Sequence, residues 1–236
     1  MLSKNEIKRI KSLSQKKFRD EEGLFIVEGE KMVAEALASD FEVEAVYRTS
    51  EIGEEAMGRI SALSSPSPAL AVVRIPASGG VPAPAEDELL LALDSLRDPG
   101  NVGTIIRLAD WFGIRTILAS PDTVDIYNPK VVQATMGAIF RVRFIYCDLP
   151  ATLSAMRGRG IPVYGTFLEG DDIYKSSLTK GGVIVMGSES NGIGPEVAAL
   201  VDRKLYIPPF PPEGTGSESL NVAIATAITC SEFRRR

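Results

Sequence analysis

From residue 88 onward the chain alternates short apolar runs with amphipathic stretches, and this alternation constrains the fold more than any other feature. The runs at 89–93, 116–119, 144–146, 163–167, 183–186 and 204–207 read as strands, and 102–112, 129–139, 151–157, 195–201 and 220–234 carry helical spacing. Strands that stay apolar without alternating are buried on both faces. The pattern therefore predicts a parallel sheet covered by helices on each side. Ligands of such sheets sit beyond the carboxyl ends of the strands, so the strand-to-helix loops are where chemistry is sought.

The first third of the chain has a different rhythm. A helix is expected over 3–18, with Ile7, Ile10 and Leu13 apolar and the remainder basic. Strands are expected at 24–27, 43–47 and 70–75, and a further helix at 31–37. The stretch PASGGVPAPAE, beginning at Pro76, reads as a linker. The expected organisation is a small α/β domain over 1–76, a linker over 77–87 and a parallel-sheet domain over 88–236.

Charge is segregated along the chain. The net charge is −5, yet residues 1–19 hold seven basic side chains against one acidic, and residues 20–87 hold four against fourteen. A locally basic end on an acidic protein suits contact with a nucleic-acid backbone, with Lys8, Arg9, Lys16, Lys17 and Arg19 as candidates. The same pattern also describes a solvated helix face.

The sequence contains no histidine. That excludes Ser-His-Asp and Cys-His catalysis and any histidine-ligated metal, leaving acid–base work to carboxylates, Lys, Arg, Tyr or the substrate itself. Cys147 and Cys230 lack any metal-binding spacing and read as packing thiols. Purely carboxylate-bound magnesium stays compatible with the composition, but no tight Asp cluster offers it, and no metal is expected. The N-terminal stretch has no apolar signal core, and no apolar run approaches the roughly 18 residues of a membrane span. No membrane contact and a cytoplasmic location are the corresponding expectations.

Three loops stand out. The first, Asp98-Pro99-Gly100-Asn101-Val102-Gly103, leads into a helix that Asp98 and Pro99 are suited to start. Arg107 falls off the buried face of that helix. It either reaches solvent or has an anionic partner. The second, Gly187-Ser188-Glu189-Ser190-Asn191-Gly192-Ile193-Gly194, sets one carboxylate among glycines, as a tight turn against a ligand with hydroxyl or amino donors would; an incidental Glu in a glycine-rich turn has the same composition. The third runs from Pro208 through a proline-rich stretch to Ser219-Leu220-Asn221 at the start of the last helix. A capping role accounts for Ser219. It does not account for Asn221, a poor residue for a helix interior.

Together these stretches resemble the SpoU (TrmH-like) family of the SPOUT RNA methyltransferases. The segments LDSLRDPGNVGTIIRLADWFGI, VIVMGSESNGIG and LYIP…SESLNVAIATAI match that family's three motifs in order and spacing, and KSLSQKKFRDEEGLFIVEGEKMVAEAL resembles its RNA substrate-binding domain. The resemblance implies an α/β fold: a small N-terminal RNA-binding domain and a parallel-sheet domain whose C-terminal segment threads a trefoil knot. It further implies a homodimer, S-adenosylmethionine as cofactor, and methylation of a ribose 2′-hydroxyl in tRNA or rRNA. By position it assigns Asn101, Arg107, Glu189, Ser219 and Asn221 to catalysis, and Thr166, Gly187, Ile207 and Leu220 to the cofactor. Arginine is almost never deprotonated, so Arg107 is better suited to clamping a phosphate and polarising the hydroxyl than to acting as the base.

Two departures stand beside the match. Pro209 occupies a position where the family commonly has Met, and the segment between Ile207 and Ser219 is longer than in compact members. A non-catalytic RNA-binding or assembly protein with the same fold is the alternative reading.

Overall fold

The computed structural model describes residues 2–77, 79–211 and 218–235. In chain order the elements are α1 (Lys4–Ser12), α2 (Lys16–Glu22), β1 (Leu24–Glu28), α3 (Glu30–Leu37), β2 (Val43–Arg48), α4 (Thr49–Ile52), α5 (Glu54–Ile60) and β3 (Ala69–Arg74). There follow β4 (Leu89–Asp94), α6 (Pro99–Trp111), β5 (Thr116–Ala119), α7 (Pro129–Thr135), a 3₁₀ turn at Ala138–Phe140, β6 (Arg143–Tyr146), α8 (Leu149–Gly158) and β7 (Val163–Asp172). The last are β8 (Gly182–Gly187), α9 (Pro195–Ala198), β9 (Arg203–Tyr206) and α10 (Val222–Arg234). Contacts divide the chain into two units, one of residues 1–78 with 125–141 and one of residues 79–124 with 142–236. The linear division at 77–87 left 125–141 in the second domain; its contacts put it in the first unit.

In the first unit β3 lies between β1 and β2, antiparallel to both. Side chains alternate across this sheet, and both faces are covered. Leu24, Ile26, Leu70 and Val72 pack with Ile7, Ile10, Leu13, Met57 and Ile60 on one side. Phe25, Val27, Ala71 and Val73 pack with Met32, Val33, Val132 and Ile139 on the other. Each Leu, Ile, Val, Met or Phe side chain so enclosed contributes roughly 1.5–3 kcal/mol. The helix expected over 3–18 is two helices. The chain turns after Leu13, the C-cap of α1, and restarts at Lys16. The helix expected over 129–139 is likewise interrupted, because Met136 (φ 51°) and Gly137 (φ 95°) adopt left-handed conformations that end α7. Helices α4 and α5 have no counterpart among the sequence expectations.

The second unit holds the six-stranded parallel sheet, in the order β6-β5-β4-β8-β7-β9. Its strands fall within a few residues of the predicted ones, β7 extending furthest beyond its range. Leu89 to Leu93 are all at most 1% exposed, as a central parallel strand requires. From β4 the chain goes outward to β5 and β6 on one side, while β8, β7 and β9 fill the other. The β4/β8 junction is thus a topological switch point, the place where open α/β sheets bind ligands. Cys147 is half-buried and Cys230 buried; burial raises the first thiol and pushes the second up to about 12, which leaves both poor nucleophiles. Among the described residues no group of three or more His, Cys, Asp or Glu side chains is placed to hold a metal ion. No helix there is long and apolar enough to cross a membrane.

Candidate functional site

The loops after β4 and β8 and the start of α10 meet at this switch point. Asp98 caps α6 through its side chain, which accepts from the Asn101 N–H at 2.8 Å, and Pro99 opens the helix. This fixes Asn101 in the first turn. Asn221 is itself the N-cap of α10: its Oδ1 accepts from the N–H groups of Ala223 (3.0 Å) and Ile224 (3.3 Å). The expectation that Asn221 lies inside the helix behind a Ser219 cap is therefore corrected. Asn is among the best N-cap residues, and the helix begins one residue after it.

With its oxygen so engaged, Asn221 presents its Nδ2 to Asn101 Oδ1 at 2.9 Å, and the Asn101 amide nitrogen donates to Glu189 Oε1. The order of donors is forced. Reversing either amide would set donor against donor or oxygen against carboxylate. The three residues come from segments 88 and 120 positions apart in sequence.

Helices α6 and α10 run parallel. Asn101 meets Asn221 at their N-terminal ends, while Arg234 at the far end of α10 donates to the carbonyls of Phe112 (2.8 Å) and Gly113 (3.3 Å) just past α6. The Glu189 carboxylate thus receives a side chain from the first turn of α6, where an anion is favoured.

Glu189 rides on a loop with little freedom. Ser188 and Gly192 exchange two backbone hydrogen bonds (3.1 and 2.8 Å), and a Cβ on Gly187 would lie 2.2 Å from the Gly192 carbonyl carbon. Only glycine fits at 187, so the loop itself demands the residue that the resemblance assigned to a ligand. Asp94, a residue the sequence reading missed, holds the far end of the same loop through Gly194 N–H at 2.7 Å. Its signal was available: an acidic residue closing an otherwise apolar strand.

The residues assigned to the cofactor lie in or just after strands β7, β8 and β9 and before α10. Thr166 lies in β7, with its hydroxyl 3.4 Å from the Val185 carbonyl and 3.5 Å from Met186 Sδ. Gly187 ends β8, Ile207 follows β9, and Leu220 precedes α10. Ile207 and Leu220 have no main-chain hydrogen bond among the described residues. Free N–H and C=O groups at a strand end suit the hydrogen-bonding edge of a flat heterocycle, and Leu220 is an apolar side chain left 49% exposed. Ser219 is exposed and makes no side-chain hydrogen bond among the described residues. Of the proline-rich stretch, residues 212–217 lie outside the described residues.

Arg107 does not join the amide chain. It lies six residues beyond Asn101, about 9 Å along the helix axis. Thr104, Arg107 and Trp111 form the exposed stripe of α6, with Trp111 81% exposed, and Arg107 has no ion-pair partner among the described residues.

The basic candidates of the first unit fare unequally. Arg19 is 2% exposed, its guanidinium bound to Asp125 (2.6 and 3.2 Å) and to the Leu13 carbonyl (2.8 Å). It cannot face a polyanion, and that expectation is corrected: the side chain is a structural anchor. Arg9 is shared between Glu22 (2.5 Å) and Glu44 (2.8 Å), Lys16 pairs with Asp20 (2.7 Å), and Lys17 stands 3.9 Å from Glu21. Lys8 is exposed and unpaired among the described residues, as are Lys4 and Lys11 on the same side of α1.

Comparison with known proteins is consistent across both units. The SpoU rRNA Methylase family model matches residues 88–231, and the MRM3-like substrate binding domain model matches residues 4–72. The chain is 28% identical over 249 residues to the 23S rRNA (guanosine(2553)-2'-O)-methyltransferase RlmP of Bacillus subtilis, covering 98% of this chain and 97% of that one. It is 34% identical over 154 residues to the 23S rRNA (guanosine-2'-O-)-methyltransferase RlmB of Neisseria meningitidis, a match spanning 64% of this chain and 60% of the relative. Among solved structures, a TrmH-family protein from Porphyromonas gingivalis superposes with a TM-score of 0.89 at 43% identity, covering 100% of this chain and 99% of that one. An AdoMet-bound rRNA methyltransferase from Sinorhizobium meliloti gives 0.89 at 30% identity, covering 100% and 96%.

Proposed function

This chain belongs to the SpoU rRNA methylase family, and from that premise we infer that it methylates 23S rRNA as a homodimer. It is an S-adenosylmethionine-dependent RNA 2′-O-ribose methyltransferase. The choice of 23S rRNA over tRNA is supported by a 23S rRNA enzyme that the chain matches over 97% of that relative's length. The observation that carries the assignment of the site is the hydrogen-bonded chain Asn221, Asn101, Glu189, built from three loops.

The cofactor, when bound, supplies an electrophilic methyl group on a sulfonium. The residues present fit it: Ile207 and Leu220 offer free main-chain groups for its heterocycle, and Thr166 and Gly187 line the adjoining strand ends. The knotted threading implied by the family resemblance belongs to the same reading. Asn101 is held by Asn221 on one side and Glu189 on the other, so neither amide needs to reorganise when the ribose arrives. Glu189 thereby acts as an orienting group for Asn101.

Arg107 serves to clamp the phosphate next to the target ribose and polarise its 2′-hydroxyl. Its place on an exposed stripe with Trp111, away from the amide chain of its own protomer, supports a dimer in which each Arg107 serves the partner's site. RNA backbone contacts in the first unit fall to Lys4, Lys8 and Lys11, with Lys16 and Lys17 as exposed auxiliaries. A cytoplasmic place of action fits a ribosomal RNA substrate.

The test is methyl transfer from labelled S-adenosylmethionine to 23S rRNA and to tRNA, with the modified nucleotide mapped. A 2′-O-methylated ribose in 23S rRNA is expected. Modification of tRNA alone, or of a base, overturns the reading. In the same assay Arg107→Ala and Glu189→Gln proteins are each nearly inactive. After subunit exchange between them, about a quarter of the sites regain both groups and activity returns; no return overturns the shared site.

A further inference from the structure

The Asp94 carboxyl is buried, 7% exposed, and the function above leaves it without a role. It stands at the end of β4, in parallel register with Gly187 at the end of β8. Its Oδ2 accepts from the Gly194 N–H at 2.7 Å, and its Oδ1 accepts from the Ser95 hydroxyl at 3.3 Å. Gly187 and Gly194 bound the loop that carries Glu189. Asp94 thus lies beside one end of that loop and is bonded to the other. Because the loop is cross-linked on itself through Ser188 and Gly192, a displacement of Gly194 is passed to Glu189 rather than absorbed.

The other side of Asp94 is equally fixed. Ser95 has φ 60°, a left-handed conformation costing a non-glycine residue roughly 1–2 kcal/mol. It is held there by Ser120, whose Oγ accepts from the Ser95 N–H at 2.8 Å and donates to Asp122 Oδ1 at 2.7 Å. The Ser120 hydroxyl is in turn the main reason the Asp122 carboxyl sits below its ordinary range. The anchored turn leads three residues on to Asp98, the cap that sets Asn101. One carboxyl group therefore stands between the two loops whose side chains, Asn101 and Glu189, must meet.

We propose that Asp94 is a positioning residue for methyl transfer: through the Gly194 N–H it sets the height of the Glu189 loop so that Glu189 receives the Asn101 amide. This rests on the assignment of Asn101 and Glu189 to the site. Removing the carboxyl leaves a half-buried N–H without an acceptor and frees the loop end. Asparagine keeps an acceptor oxygen at the same reach.

The experiment measures kcat, KM for RNA and melting temperature for Asp94→Ala, Asp94→Asn, Glu189→Gln and the Asp94→Ala/Glu189→Gln double variant. Asp94→Ala is expected to lower kcat by about 10²-fold, the usual consequence of a displacement near 1 Å, with KM for RNA unchanged. Asp94→Asn restores most of that loss. In the Glu189→Gln background, Asp94→Ala adds little, because its effect passes through Glu189. Near-wild-type kcat for Asp94→Ala overturns the proposal, and so does the same fold-loss in both backgrounds. Wild-type turnover by Glu189→Gln overturns the site assignment itself, and the proposal with it. Where Asp94→Ala does not fold, Gly194→Ala replaces it. Its Cβ would lie 3.3 Å from Asp94 Oδ2 and must push carboxyl and loop apart by a few tenths of an ångström. A several-fold fall in kcat with an unchanged melting temperature is then expected, and an unchanged kcat overturns the proposal.

Discussion

Lys16 in the first unit and Asn221 in the second both stand at the start of a helix, and they are satisfied in opposite ways. Lys16 finds Asp20 one turn away, as Lys17 faces Glu21 and as Arg9 takes Glu22 and Glu44. Asn221 caps its own helix and reaches Asn101, which reaches Glu189. The first pattern uses interchangeable, solvent-screened partners, some of them one turn away, and its pairs contribute about 0–1 kcal/mol each. The second uses one partner per group, drawn from distant segments, in a single order of donors and acceptors. A cluster built for solvation tolerates rearrangement. A cluster built for one geometry does not.

Arg19 crosses that division, and it gives the largest expected effect. It sits among the basic residues of the first unit but is buried with a single carboxylate partner 106 positions away. Arg19→Ala should cost about 3–5 kcal/mol in urea unfolding, since it leaves the Asp125 carboxylate largely enclosed and unpaired. A loss below about 1 kcal/mol would return Arg19 to the class of surface pairs.

The next effect sharpens the second cluster. Asn221→Ala removes a helix cap and should lower stability by about 1 kcal/mol while also abolishing the order of the amide chain. Ser219→Ala, two residues earlier, should leave stability unchanged. Equal losses would mean that the helix boundary is misassigned.

The smallest effect concerns the RNA-facing lysines. Replacing Lys4, Lys8 and Lys11 together with alanine should reduce the slope of log affinity for RNA against log salt by roughly two to three. Replacing Lys16 and Lys17 should change it less per residue, because Asp20 and Glu21 already offset part of their charge. The reverse ranking would show that the acidic partners let go when RNA binds.

Much of this was legible in the sequence. Strand β5 begins and ends where its apolar run does, and Asp98 and Pro99 start α6 as their residue types suggest, because these are decisions made by neighbouring residues. Helices α4 and α5 were not legible. Each is two turns or fewer, too short to show a repeat: α4 buries no residue and α5 only Met57 and Ile60. The attachment of 125–141 to the first unit was equally hidden, since it depends on Asp125 meeting Arg19 and on Val132 and Ile139 packing with Phe25.

By itself the sequence determined the alternation that makes a parallel sheet, the three loops at its strand ends, and the identity of the residues they carry, because periodicity and turn chemistry are local. Only the tertiary structure decided which of those residues meet. Asn101, Glu189 and Asn221 converge and Arg107 does not; Arg19 is enclosed while Lys8 has no partner among the described residues; and Asp94 meets Gly194, 100 positions on. Each of these depends on a partner far along the chain, and local pattern holds no information about which distant group will fold into reach.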